Sequence, residues 1–316
     1  MRGGPSRGPE HAAMHAGRAL LARARAAAHD TVAVVGTGKN VGKTVTVAAL
    51  CDALARDGAA FGLCSIGRDG EAFDAVEGFA KPRLFLRRGA LVATARALIA
   101  RSPAAEIVEL LDEQSALGKL AIVRVRAAAF FEVSGPPTAA ALRRVVERLR
   151  AHGATTTIVD GAVDRIAALA GGSDGVIVAT GAACGPTPER VAAETAAFVR
   201  ALGVPRCDPA RDAVRLDGAL TAGRAAALVR AGERRQVVVR DPTRIALGGA
   251  FAGFARHLDL RCETPIDVVA CTVAPASADR AFEPASFLRA VADSTGLPAY
   301  DVYASAEALP AVRRAS

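Results

Sequence analysis

Residues Val34–Thr44 read V-V-G-T-G-K-N-V-G-K-T, and this stretch limits what the chain can fold into more than any other. A β-branched run, Thr31 to Val35, precedes it, and a helical pattern, Val45 to Leu54, follows it. A strand, a glycine-rich turn, Gly-Lys-Thr and a helix together form the arrangement that cradles nucleotide phosphates on main-chain N–H groups. The usual spacing puts four residues between the first glycine and Gly-Lys-Ser/Thr. Here Thr37 occupies that first position and Gly36 lies one residue earlier, so the loop is one residue longer. Gly36, Gly38 and Gly42 still allow the turns that aim N–H groups inward.

Composition supports this reading. The chain has only four lysines, Lys39, Lys43, Lys81 and Lys119, and two of them sit in this loop with its single asparagine, Asn40. Lysine has been kept where a compact ammonium would reach phosphate oxygens, a place the planar guanidinium of arginine fills poorly. The formal charge of +8 is spread as arginine through helical stretches. It does not form a basic cluster interleaved with aromatics, which argues against a nucleic-acid footprint. The six cysteines show no C-x-x-C spacing, which fits reduced thiols in a cytoplasmic protein better than a zinc site or a disulfide frame. No apolar run reaches membrane-span length, so no membrane partner is expected.

Strand and helix signals alternate from Thr31 onward, predicting an α/β fold built on a mainly parallel, doubly wound sheet of the P-loop NTPase type. Three segments are expected: a leader over 1–29, partly disordered and with an Ala/Arg/Leu helix from His11 to His29; a nucleotide-binding domain over 30–204; and a C-terminal α/β unit over 205–316. That last unit is either an extension of the first sheet or a second domain. The pattern further predicts helices over Leu91–Arg101, Ala104–Gln114 and 243–256, and a hairpin joining strands near Leu120–Val125 and Phe130–Val133.

Ligands gather beyond the carboxyl ends of strands in such a sheet. The residues expected to contact nucleotide are Gly36, Thr37, Gly38, Lys39, Asn40, Val41, Gly42, Lys43, Thr44 and Val45. Lys43 would neutralise the β and γ oxygens, and Thr44 would place its hydroxyl on Mg²⁺. Asp160 ends an apolar strand as a metal-shell carboxylate would, although Asp-Gly after a strand is also an ordinary turn. Asp69 would meet the metal or the attacking water, and Arg68 would face the γ-phosphate; a solvated loop is the plainer alternative for that pair. No Asn/Thr-Lys-x-Asp arrangement for guanine is present, which favours ATP over GTP.

Gly36-Thr-Gly-Lys-Asn-Val-Gly-Lys-Thr44 resembles the longer phosphate loop of dethiobiotin synthetase and its relatives. The lysine that family carries after its second strand is missing from Leu63–Gly70. A wider resemblance covers most of the chain past residue 30. Its blocks are Ser65-Ile-Gly-Arg-Asp-Gly-Glu71, Lys81-Pro-Arg-Leu-Phe-Leu, Gly89–Arg96, Asp160-Gly-Ala-Val-Asp-Arg165 and Val178-Ala-Thr-Gly-Ala182. Together they resemble the P-loop subunit of the reactivase for adenosylcobalamin-dependent lysine aminomutase. That resemblance implies ATP-driven remodelling of a mutase partner together with a second reactivase subunit. The alternatives are a small-molecule ligase or kinase, and a nucleotide-binding regulator that barely hydrolyses. A homodimer is left open.

Overall fold

A computed structural model describes residues 9–66, 83–99, 104–161 and 174–304. The chain opens with helix α1 (Pro9–Ala26), strand β1 (Thr31–Gly36), helix α2 (Lys43–Arg56) and strand β2 (Phe61–Ser65). It continues through β3 (Leu84–Leu86), β4 (Leu91–Ala95), a single turn α3 (Arg96–Ile99), β5 (Ala105–Ser115), β6 (Gly118–Val125) and β7 (Ala129–Phe131). Next come α4 (Ala139–Ala151), β8 (Thr156–Asp160), β9 (Asp174–Gly181) and α5 (Pro188–Leu202). The remainder is β10 (Ala213–Arg215), β11 (Leu220–Thr221), α6 (Ala222–Arg230), β12 (Gln236–Val239), β13 (Ile245–Ala246), α7 (Phe251–Phe254), β14 (Asp259–Cys262), β15 (Asp267–Ala274), α8 (Pro284–Thr295) and β16 (Ala299–Asp301).

Nine strands form one sheet in the order β16-β15-β9-β1-β8-β2-β4-β6-β5. Pairing is parallel from β16 to β4 and antiparallel over the last two steps. This is the expected α/β class with a mainly parallel sheet flanked by helices. On one face, Val32 and Val34 of β1 pack with Leu20 and Leu21 of α1 and Val47, Leu50 and Leu54 of α2. On the other, Ala33 and Val35 pack with Leu142 and Val145 of α4, Val191 and Val199 of α5, and Phe287 of α8. Alternating residues of one strand thus serve two cores, as a strand buried on both faces must. The N-terminal helix lies against the body. A Cβ at Gly17 would fall 2.4 Å from the Ala49 carbonyl oxygen, so only glycine lets α1 sit this close to α2.

The chain beyond residue 205 divides in two. Strands β10, β12 and β14 form a small parallel sheet whose core includes Val237, Val239, Leu260 and Phe251, closed by Val204. Strands β15 and β16 return to the nine-stranded sheet beside β9, so the last part of the chain extends the first sheet.

Four element assignments need correction. Leu91–Ala95 is a strand, not the start of a helix, and all five residues are buried. Ala105–Ser115 is also a strand, forming a hairpin with β6 through Gly118 at φ 100°. Strand β7 pairs with β3 and not with β6, so the expected hairpin is one strand out of place. The helix expected over 243–256 shrinks to Phe251–Phe254, because Pro242, Gly248 and Gly249 break the run into short turns.

Candidate phosphate site

The sheet changes direction at β1. The chain steps from β1 over to β2, returns to β8 beside β1, and then places β9 on the other side. The carboxyl ends of β8, β1 and β9 therefore meet at a topological switch point, where open α/β sheets collect ligands. The Gly36–Thr44 loop rises from the middle of these three ends.

Its root is tied to β9. Gly36 pairs with Ala179 in register, and the Thr37 N–H donates to the Ala179 carbonyl at 2.9 Å, extending the ladder by one residue. From Gly38 the loop turns away, with Lys39 and Asn40 exposed. It needs two left-handed residues, Asn40 at φ 57° and Gly42 at φ 85°. Asparagine tolerates that region better than most side chains, which gives the chain's only asparagine a structural reason as well as a chemical one. The loop then folds back over its own start. A Cβ at Gly36 would lie 2.7 Å from Val41 Cγ2 and 2.8 Å from Lys43 Nζ. Lys43 thus lies across Gly36, and its ammonium donates to the Gly38 carbonyl at 2.9 Å.

Gly42 caps α2 with no side-chain acceptor, and the first turn of α2 holds no acidic residue. The backbone N–H groups of Gly38, Lys39, Asn40, Gly42 and Thr44 donate to no protein acceptor among the described residues. Unengaged amides, the positive end of a 14-residue helix and a lysine ammonium therefore share one loop. Such a loop favours an anion with several oxygens. Thr44 is half-buried in the first turn of α2, and Val45 packs its side chain toward the α1–α2 core.

Asp160 reaches the same edge. It is opposite Val34 of β1 and Ser65 of β2, is half-buried, and accepts the Ile66 N–H on its carbonyl at 3.0 Å. Its charge is felt nearby: burial pushes the Cys64 thiol up to about 12, and the Asp160 carboxylate adds to that rise. Among the described residues, no group of three His, Cys, Asp or Glu side chains could hold a metal alone. Mg²⁺ does not require one, since it takes one or two protein ligands and completes its shell with phosphate oxygens and water. Thr44 and Asp160 suit that limited role. Arg68 and Asp69 lie outside the described residues.

A cavity of about 460 Å³ opens beside the loop. Thr37, Gly38, Lys39 and Asn40 form one wall, and Val191, Thr195 and Phe198 of α5 form the opposite wall. Cys184 lies at the contact between them, its Sγ 3.3 Å from Thr37 Oγ1. The turn that carries Cys184 is held by Arg280, whose guanidinium donates to the Ala182 and Gly185 carbonyls at 3.2 and 2.9 Å. Thr46 at the start of α2 shares a 2.9 Å hydrogen bond with Thr272 of β15, fixing the helix to the sheet. Phe198, Thr195, Cys184 and Arg280 were not legible as site residues, because each stands far from the loop in sequence. The Val178-Ala-Thr-Gly-Ala182 block, which ends β9, is the sequence feature that falls on this side of the loop.

No family model, curated protein or solved structure matches this chain. Among the described residues no helix is long and apolar enough to cross a membrane.

Proposed function

We propose that this chain is a Mg²⁺-dependent ATPase of the P-loop NTPase type. The observation that carries the reading is the set of five backbone amides, Gly38, Lys39, Asn40, Gly42 and Thr44, with no protein acceptor among the described residues, in the loop that leads into α2 and holds the Lys43 ammonium on the Gly38 carbonyl. These groups suit a polyphosphate better than a single carboxylate, because the donors are spread along the loop.

In hydrolysis, water attacks the terminal phosphorus and the bond to the bridging oxygen breaks, giving ADP, inorganic phosphate and a proton. Lys43 leaves the Gly38 carbonyl to neutralise the terminal oxygens, and the loop amides take up the charge that grows on the leaving oxygen. Thr44 and Asp160 would hold a Mg²⁺ ion, which would supply charge neutralisation to the phosphates. The sequence blocks that resemble the lysine aminomutase reactivase support the further reading that hydrolysis drives remodelling of a cobalamin-dependent mutase, with a second reactivase subunit.

The direct test is equilibrium binding of a fluorescent ATP analogue with Mg²⁺, followed by phosphate release, for wild type and Lys43→Ala. The expected loss in the variant is about 3 kcal/mol of transition-state stabilisation. Binding that is undetectable in wild type overturns the reading. A second reading, phosphoryl transfer to a small molecule, is favoured by the cavity of about 460 Å³ next to Gly38 and Lys39. Basal hydrolysis that rises with the mutase and not with small acceptors separates the two.

A further inference from the structure

Three hydroxyls run in single file from the phosphate loop into the body. Thr37 Oγ1 lies 3.0 Å from Thr180 Oγ1, which lies 2.8 Å from Thr195 Oγ1, which donates to the Val191 carbonyl at 2.7 Å. Thr180 and Thr195 are almost wholly buried, at 0% and 1% exposure. Each hydroxyl has one proton to give. The Thr195 proton goes to the Val191 carbonyl, so Thr195 accepts from Thr180, and Thr180 in turn accepts from Thr37. The carbonyl at the far end thus fixes the direction of the whole chain.

Thr37 is consequently left with no donor for a ligand. Its O–H goes to Thr180, and its N–H goes to the Ala179 carbonyl at 2.9 Å. Thr37 anchors the loop root, while the unengaged amides begin at Gly38. The same chain joins the two walls of the cavity, since Thr37 belongs to one wall and Thr195 to the other.

We propose that Thr180 is a positioning residue for nucleotide binding: through Thr37 and Thr195 it fixes where the phosphate loop leaves the sheet relative to α5. This inference rests on the polyphosphate reading of the loop. Deleting the Thr180 hydroxyl leaves the Thr37 proton with the Ala179 carbonyl, 3.5 Å away, and the weakly accepting Cys184 sulfur, 3.3 Å away, and releases the loop root from α5.

The experiment measures the Kd of a fluorescent ATP analogue with Mg²⁺ for wild type, Thr180→Val, Thr180→Ser and Thr195→Val, with thermal melts alongside. Thr180→Val is expected to raise Kd at least tenfold, and to raise KM more than it lowers kcat. Thr180→Ser is expected to bring Kd back to within about threefold of wild type. Thr195→Val, which breaks the chain one link further on, should raise Kd by a smaller factor and stands in if Thr180→Val does not fold. Wild-type binding with unchanged Kd in the valine variants overturns this inference alone. Absence of wild-type binding overturns it together with the ATPase reading.

Discussion

The Tyr303 ring stands against Gly42, the residue that opens α2: a Cβ at Gly42 would fall 2.9 Å from Tyr303 Cε2 and 3.4 Å from its hydroxyl oxygen. Tyr303 follows β16, so the far end of the described chain closes against the Gly36–Thr44 loop. Two penalties therefore fall on any side chain at Gly42, the left-handed φ of 85° and the contact with the ring.

Gly42→Ala should destabilise the fold by roughly 1–2 kcal/mol and abolish Mg-ATP binding, because the loop must change conformation to relieve the strain. Tyr303→Ala in the same chain removes the contact but not the φ penalty. The double variant should recover part of the melting temperature and none of the binding. Full recovery of both would show that the backbone turn is dispensable.

Gly135 is a second place where backbone meets backbone. A Cβ there would lie 1.5 Å from the Ser65 carbonyl oxygen, at the carboxyl end of β2 beside Asp160. No rotamer relieves a contact with a carbonyl. Gly135→Ala should cost more than about 3 kcal/mol or prevent folding, measured by denaturant unfolding, whereas Gly58→Ala, in open space at φ 67°, should cost about 1 kcal/mol.

The strand-loop-helix unit around Gly36–Thr44 was legible in sequence because its signal is local: glycines, lysine and flanking periodicities all fall within one βα unit. Leu91–Ala95 was not, because a strand buried on both faces carries an unbroken apolar run that helix formers such as Leu and Ala can also supply. Ala105–Ser115 hid for a different reason. Register shifts between Ile107 and Glu109 and between Leu110 and Gln114 break its alternation, so Ile107, Val108, Leu110 and Leu111 fall at helix-like spacing. Leu110 is in fact 55% exposed while Leu111 is buried. The hydroxyl chain through Thr180 and Thr195 depends on β9 and α5 meeting in space, which no local pattern encodes.

Cysteine chemistry offers a footprint of the site. Cys51, Cys64, Cys262 and Cys271 are buried, and burial pushes Cys271 up to about 11 and Cys262 up to about 12. Cys184 and Cys207 are the partly exposed thiols. In native protein at pH 8, a thiol reagent should therefore modify Cys184 and Cys207 well before the other four. Mg-ATP should slow labelling of Cys184, which lines the cavity and touches the loop root, without affecting Cys207. Peptide mass mapping after timed labelling gives both rates, and equal protection at the two positions would count against a ligand in the loop.

The opposite end of the sheet should govern how stability changes with pH. Asp174 begins β9, and burial is the main force raising its carboxyl to about 6, against a lowering by its hydrogen bond to Thr31 and by Arg150. Asp30 adds to the rise, and His29, whose Nε2 lies 2.7 Å from Asp267, opposes it. In the unfolded chain the same carboxyl titrates near an ordinary aspartate value of about 4. Because folding raises its pKa, its stabilising contribution is complete below about pH 4 and is lost as pH climbs through about 6, where the folded protein must hold a partly buried carboxylate. Asp174→Asn keeps a hydrogen-bonding partner for Thr31 and removes the charge. It should raise stability at pH 7.5 by roughly 1–2 kcal/mol, allowing for partial solvent contact, and flatten the fall between pH 4 and pH 6.5. Melting temperatures of the two proteins across that range should converge at the acid end and separate toward neutrality; curves that stay parallel throughout would assign the pH dependence to other groups.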